Sequence, residues 1–268
     1  MTDREWDLLQ PLVAELDTGW GRPPKHDRRE MLDAMFYVVR SGCSWRWLPA
    51  HYPPWQTVYA AFRTWNDRGW FQQVCDALRE SWREQIGRDA EPSAGIVDSQ
   101  TMKTTEKRGI RGYDGGKKIV GRKRHILVDT EGLPIAICVH EASLQDRQGA
   151  QLVFDRVPAE RHRLAHLWAD SAYVGASQRA ASRRGWRLEV VRRPSEPTYG
   201  KWQPRQVPMF PTKGGFILVR RRWVVERTFG WLGRYRRLSK DYEALVTVSE
   251  GWLWMATMRL LTRRLGRG

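Results

Sequence analysis

Two segments end an apolar run in an aspartate followed by a serine: Ile96-Val97-Asp98-Ser99 and Trp168-Ala169-Asp170-Ser171. Aspartate is depleted in strands, and a carboxylate after apolar residues is costly unless it is solvated or bound. The two acids stand 72 positions apart, so only folding can bring them together. A third acid, Glu226, lies alone in the strongly basic stretch 216–240, with Arg222 at i,i+4 spacing on the same helical face. A helix ion pair contributes only ~0.3–0.5 kcal/mol and does not explain an acid among so many cations. Three carboxylates brought together would repel one another and have raised pKa values. Divalent cations that prefer hard oxygen ligands, Mg²⁺ or Mn²⁺, relieve that repulsion and accept phosphate oxygens. Two such ions ~4 Å apart can activate an attacking oxygen and stabilise a leaving one at a phosphodiester. The expected catalytic and metal-holding set is therefore Asp98, Asp170 and Glu226, with two Mg²⁺ ions that Mn²⁺ can replace. Ser99 and Ser171 lack a local histidine base. His162 and His166 share i,i+4 spacing, but His166 opens an expected strand, and both are read as unrelated to the site.

Charge gives the partner. The 268 residues carry 46 Lys+Arg against 30 Asp+Glu, a net of +16, with a pI near 10.3. Residues 1–94 hold 12 basic and 14 acidic side chains, and residues 95–268 hold 34 and 16. The excess lies wholly in the second part, and such a field favours nucleic acid. Fifteen tryptophans imply a packed core rather than a merely soluble basic chain. No apolar run approaches the ~18 residues a membrane span needs. Cys43, Cys75 and Cys138 are odd in number and far apart, which argues against a disulfide framework. With no signal-peptide pattern at the start, the expected location is the cytoplasm, at the nucleoid.

Periodicity divides the chain. Residues 1–86 read as four short helices: one carrying Trp6 to Leu16, then about 28–40, 55–68 and 70–86, around turns at 19–25, 41–42 and 49–54. This fits a helix-turn-helix-like module that reads DNA ends or dimerises. Its third helix presents Gln56, Thr57 and Arg63 as expected base contacts. Residues 87–94 are a linker. From 95 to 268 strands at 94–99, 118–129, 133–140, 165–170 and 187–192 alternate with helices from Asp146 and from Gly175, and a turn at Glu131-Gly132 joins the second and third strands as an antiparallel pair. An irregular Pro/Gly-rich loop over 194–215 precedes a long helix over 216–238 and a closing helix from about Ser249. The expected fold is α/β: a mixed sheet flanked by helices, preceded by a small all-α domain. Lys118, Lys123, Arg122 and Arg124, beside the first strands, are read as a phosphate-contact surface, joined by Lys103, Arg222, Arg234 and Arg237.

Longer motifs carry a resemblance. Gly21-Arg-Pro-Pro, Ser41-Gly-Cys-Ser-Trp-Arg-Trp-Leu-Pro49, Trp55-Gln-Thr-Val-Tyr59, Val97-Asp-Ser-Gln100, Lys103-Thr-Thr-Glu106, Arg111-Gly-Tyr-Asp114, Gly121-Arg-Lys-Arg-His125, residues 143–149, Asp170-Ser-Ala-Tyr173 and Trp223-Val-Val-Glu-Arg227 together resemble bacterial insertion-sequence DDE transposases of the IS-five group. The resemblance implies an RNase-H-like catalytic domain with Asp98, Asp170 and Glu226 as its triad. It also implies Mg²⁺-dependent cleavage at terminal inverted repeats and strand transfer into target double-stranded DNA. A homodimer or larger synaptic assembly is expected. The wider group carries Tyr-x2-Arg-x3-Glu-x6-Lys around the glutamate. Here Arg222 and Glu226 fit, Val219 stands at the Tyr position and Gly233 at the Lys position, leaving Arg234 and Arg237 as candidates for the missing cation. The rival readings are an RNase-H-fold nuclease that cuts without joining and a catalytically inactive DNA-binding derivative.

Overall fold

Helix formation at the start of the chain follows from apolar spacing and from the caps. The computed structural model describes residues 1–14, 16, 25–106, 109–158, 163–191 and 222–267. Helix α1 is Asp3–Ala14 and α2 is Arg28–Ser41. Asp27 caps α2, its Oδ1 accepting from Arg29 N at 2.6 Å. Gly42 ends it in the left-handed region (φ 73°), where its N–H closes onto Val38 O. A Cβ there would also stand 2.9 Å from Arg236 Cβ, so the position suits only glycine. A 3-10 turn at Trp45–Trp47 leads to α3, Trp55–Asp67, and α4, Trp70–Gln85. The four helices lie within a residue or two of the expected ranges where these were given; the turn at 19–25 falls, but for Lys25, outside the described residues.

Among the described residues the rest forms a six-stranded mixed sheet with helices on both faces. Strands β1 (Ala94–Lys103), β3 (Ile119–Asp129) and β4 (Pro134–Glu141) are antiparallel, with β4 beside β3 and β3 beside β1. Strands β5 (His166–Ala169) and β6 (Arg187–Val190) continue the sheet parallel to β1. The short β2, Gly112–Asp114, pairs with the first residues of β3; three residues are too few to show a period, and no strand is expected there from sequence. Helices α5 (Asp146–Asp155) and α6 (Ala176–Arg183) cover one face, packing on Val97, Leu127, Ala136 and Leu167. The other face, through Ile96, Ile126, Val139 and Trp168, packs on α7 (Arg222–Leu232) and α8 (Val246–Leu265).

One expectation fails here. The expected helix over 216–238 is, among the described residues, an eleven-residue α7 that stops at Leu232; Gly233 turns the chain and a separate 3-10 turn holds Arg236–Leu238. Arg234 and Arg237 therefore do not continue the helical face of Glu226. Val219 and the expected loop at 194–215 lie outside the described residues.

The apolar core does not follow the expected boundary at 87–94. Helix α8 packs against α1, α2, α3 and α4 as well as β4. Leu9, Val39, Phe62, Phe71 and Leu78 of the first four helices share one buried cluster with Trp252, Leu253 and Met258 of α8 and with Ile96 and Ile126 of the sheet. Among the described residues no helix is long and apolar enough to cross a membrane.

Candidate active site

The parallel pairing of β1 with β5 sets the site. Ala94 stands opposite His166, and Ile96 opposite Trp168. Continued two residues, this register would set Asp98 level with Asp170; Asp170 directly follows the end of β5, whereas Asp98 is not at the strand end expected from sequence but midway along β1, which runs on beside β3 to Lys103. Side chains alternate along strands, so both aspartates belong to the face of Ile96 and Trp168, which α7 and α8 cover. Asp170 begins a 3-10 turn over Ser171–Tyr173, its Oδ1 accepting from Ala172 N at 2.9 Å. Asp98 accepts from Ser99 N at 2.7 Å.

Glu226 is exposed on α7, whose buried side carries Val225 and Phe229. The helix packs against β1. Two bonds to the β3–β4 turn fix its position: Thr228 Oγ1 donates to Gly132 O at 2.6 Å and Arg227 Nη2 to Glu131 O at 2.9 Å. Arg227 is also sandwiched between Trp223 and Trp231, 5.0 and 4.7 Å from the ring centres. The helix bearing Glu226 thus covers the sheet face bearing both aspartates. Among the described residues no group of three His, Cys, Asp or Glu side chains converges tightly enough to hold a metal ion. The donors are nonetheless of the right chemistry, hard carboxylate oxygens of the kind that suits divalent cations.

Behind Asp98, on the α5 side of the sheet, lies a polar network that the sequence reading missed. Ser99 Oγ donates to Asp146 Oδ1 at 2.8 Å, and Lys123 Nζ lies 3.1 Å from the same carboxylate while donating to Leu144 O. Thr101 Oγ1 donates to Asp114 Oδ2 at 2.6 Å. Burial alone would raise the Asp146 pKa, but the Ser99 hydrogen bond and the Lys123 charge outweigh it and hold the carboxyl below its usual value. His140 Nδ1 faces Glu141 O at 2.7 Å and must be protonated there; its Nε2 then accepts from His125 Nδ1 at 2.7 Å. Burial, then the neighbouring His140, lowers the His125 pKa to about 3, so the pair is neutral. A Cβ at Gly149 would stand 2.6 Å from His140 Nε2 and closer to the His125 ring, which explains a glycine inside α5. Tyr173, 1% exposed, lies beside Ser99 without a well-formed hydrogen bond. Burial pushes its hydroxyl pKa well up, and the charges of Asp98, Asp146 and Asp170 push it further. That single tyrosine therefore senses both candidate catalytic aspartates and Asp146. Local sequence marks the network poorly: His140 stands near the end of the apolar strand Pro134–Glu141, but His125 follows three cations and does not stand out.

The cations divide into two groups. Lys103, Lys118 and Arg234 are exposed, as are Gln56 and Thr57 on α3, and Arg63 is half-buried. Arg222 is the first residue of α7. Arg122, Lys123 and Arg124 do not form the expected phosphate-contact surface, being 1%, 5% and 3% exposed. They occupy the middle of β3, which has a strand on either side and a helical layer on each face. Arg122 Nη1 binds Asp241 Oδ1 at 3.0 Å and Glu243 O at 2.8 Å, and its Nη2 binds Ala244 O at 2.9 Å. Arg124 donates to Leu238 O and Lys240 O, and burial lowers its pKa to about 10. These guanidiniums clamp the connection between α7 and α8 onto the sheet. Arg237 is likewise buried, paired with Glu243 at 2.8 Å through Nε and donating to Cys43 O. It is not the exposed cation expected beside Glu226. His166 pairs with Glu189 at 3.0 Å, while His162 lies outside the described residues.

The fold and the site define an α/β protein with one carboxylate within a strand, another just after its parallel neighbour, and an acid-bearing helix packed on the same sheet. Residues 89–261 match the family described as Transposase DDE domain, and the chain belongs to that family. Residues 1–75 match a family described as "Putative transposase of IS4/5 family". The chain is similar to a Burkholderia cepacia protein described as "Putative transposase for insertion sequence element IS402", at 29% identity over 140 residues. The match takes in 50% of this chain and 59% of that relative, so the chain spans about three-fifths of the relative's length. No solved structure matches the chain.

Proposed function

We propose that the chain is the DNA transposase of an insertion sequence, with a catalytic domain of RNase-H type. It binds the terminal inverted repeats, cleaves phosphodiester bonds at the element ends and joins them to target DNA. The observation that carries this reading is the parallel register of β1 with β5, which continued would set Asp98 level with Asp170, together with the packing of the helix that bears Glu226 against β1. These three side chains would hold two Mg²⁺ ions, or Mn²⁺ in their place. When bound, such ions lower the pKa of an attacking oxygen and stabilise the leaving one. Water is the first nucleophile, and the freed 3′-hydroxyl attacks target DNA. Exposed Lys103, Lys118 and Arg234, with Arg222, hold phosphates, while Gln56, Thr57 and Arg63 on α3 contact bases. Two or more copies would assemble on the paired ends, in the cytoplasm where the DNA lies.

The test is incubation of the full chain and its Asp98→Asn form with duplex DNA from the ends of its own element and Mg²⁺, with products sized on a denaturing gel. Cleavage at the repeat boundary followed by joined products is expected for the native chain, and neither for the variant. Cleavage without joining would leave a nuclease; binding without either would leave an inactive derivative.

A further inference from the structure

A cavity of about 250 Å³ opens between α3, the 3-10 turn at Trp45–Trp47 and the segment leading into α8. Its walls include four half-buried aromatic side chains, Trp45, Trp55, Tyr59 and Tyr242. Two cations share the lining. Arg237 is committed to Glu243, but Arg63 is held loosely, with Tyr59 Oη and Asp67 Oδ2 each at 3.5 Å. Trp45 Nε1 and Arg63 Nε are buried N–H groups with no acceptor among the described residues. Arg46 stacks beside the opening residue of α3, 5.9 Å from the Trp55 ring. None of this serves the carboxylate site.

We propose that the cavity receives a single unstacked nucleobase of bound DNA. Aromatic faces with arginine nearby are what a base stacks upon, whatever its identity. The two unpartnered donors call for acceptors, which base edges offer as carbonyl oxygens and ring nitrogens. The volume falls below the ~300–1,000 Å³ of pockets for drug-sized molecules, so it takes one ring system and not a duplex. The +16 charge of the chain supplies the general attraction. Exposed Gln56 and Thr57 lie on the same helix as the Trp55 and Tyr59 walls, so DNA held along α3 has this cavity beside it. The inference rests on the reading of the chain as DNA-binding.

Fluorescence anisotropy tests it with three labelled probes: a fully paired 30-base-pair duplex, the same duplex with one central T·T mismatch, and a twelve-residue oligothymidylate. A mismatched base leaves the stack more easily, so the native chain binds the mismatched duplex more tightly than the paired one. Trp55→Ala loses about tenfold on the oligothymidylate, as expected for one lost base stack, and loses the mismatch preference, while Trp55→Phe keeps both. Trp45→Phe keeps the ring and removes the N–H, and weakens oligothymidylate binding several-fold. A far-UV melt of each variant confirms folding, and if Trp55→Ala does not fold, Trp45→Phe and the native mismatch preference decide. Equal native affinity for paired and mismatched duplex, a mismatch preference that survives in folded Trp55→Ala, or unchanged oligothymidylate binding in folded Trp45→Phe overturns the cavity assignment while leaving DNA binding intact. Failure of the native chain to bind any of the three probes overturns the DNA-binding reading itself.

Discussion

Exchanging a carboxylate for the matching amide removes charge and metal affinity but little volume, so the candidate site is best tested with Asp98→Asn, Asp170→Asn and Glu226→Gln. Each should lower cleavage about a thousandfold or more, and a double variant should be little worse than a single one, because such groups act as a unit. Metal-dependent cleavage retained in any single variant removes that residue from the site. The buried histidines give a second expectation. His125 has a folded-state pKa of about 3, against 6.5 for the ordinary side chain. Between those values the unfolded chain binds the extra proton. Stability is therefore fully present above pH 6.5 and is lost as pH falls toward 3, by up to ~1.4 kcal/mol per pH unit. His125→Gln should flatten this acid limb in denaturant titrations run from pH 7 to 4; an unchanged slope would show that another group sets it. Asp98, Asp170 and Glu226 could be singled out from sequence because acids are conspicuous directly after apolar runs and in a basic stretch. Asp146, Tyr173 and the histidine pair could not, because their roles come from partners distant in sequence, 15 positions apart for His125 and His140 and 47 for Ser99 and Asp146.

At the scale of elements, β3 explains where sequence reading went astray. Gly121-Arg-Lys-Arg-His125 looks like a solvated basic edge, yet its strand is central and its two arginines meet carbonyls and a carboxylate more than 100 positions downstream. Period and caps reveal helices and strands because those signals are local; burial of a cation depends on partners that no local window contains. Arg122→Met would leave Asp241, 2% exposed, without its ion-pair partner. Loss of a buried partner costs about 3–5 kcal/mol, readable as a lower denaturation midpoint, and Arg122→Met/Asp241→Asn should recover part of it. If the single variant melts like the native chain, the clamp is not structural. In DNA titrations against salt, by contrast, Lys103→Ala, Lys118→Ala and Arg234→Ala should each flatten the slope by about one unit. Arg124→Met should leave the slope unchanged while lowering the melting temperature, and a flattened slope there would return Arg124 to the DNA surface.

Over the whole molecule, the composition changes at 87–94 but the core does not. Charge sorts residues by their partner in solution, whereas burial sorts them by which apolar faces fit together, and the face of α8 fits both the first four helices and the sheet. The expected all-α module is legible as helices and illegible as an independent core for that reason. Heating should accordingly give one transition, with tryptophan fluorescence and far-UV dichroism coinciding. A fragment of residues 95–268 should expose the apolar side of α8 and lose cooperative melting; a fragment that melts sharply would show that the sheet and its helices stand alone.

The place of α8 in the chain also orders events during synthesis. Its partners α1 to α4 end at Gln85, and α8 begins at Val246, about 160 residues later. At roughly 5–20 residues per second, the first helices wait on the order of ten to thirty seconds at the ribosome for the element that fills their centre. Until then Phe62, Phe71 and Leu78 have no Trp252 or Leu253 to pack on. Translation that halts before residue 246 leaves those apolar faces uncovered, so the first helices stay sticky and protease-sensitive until α8 arrives.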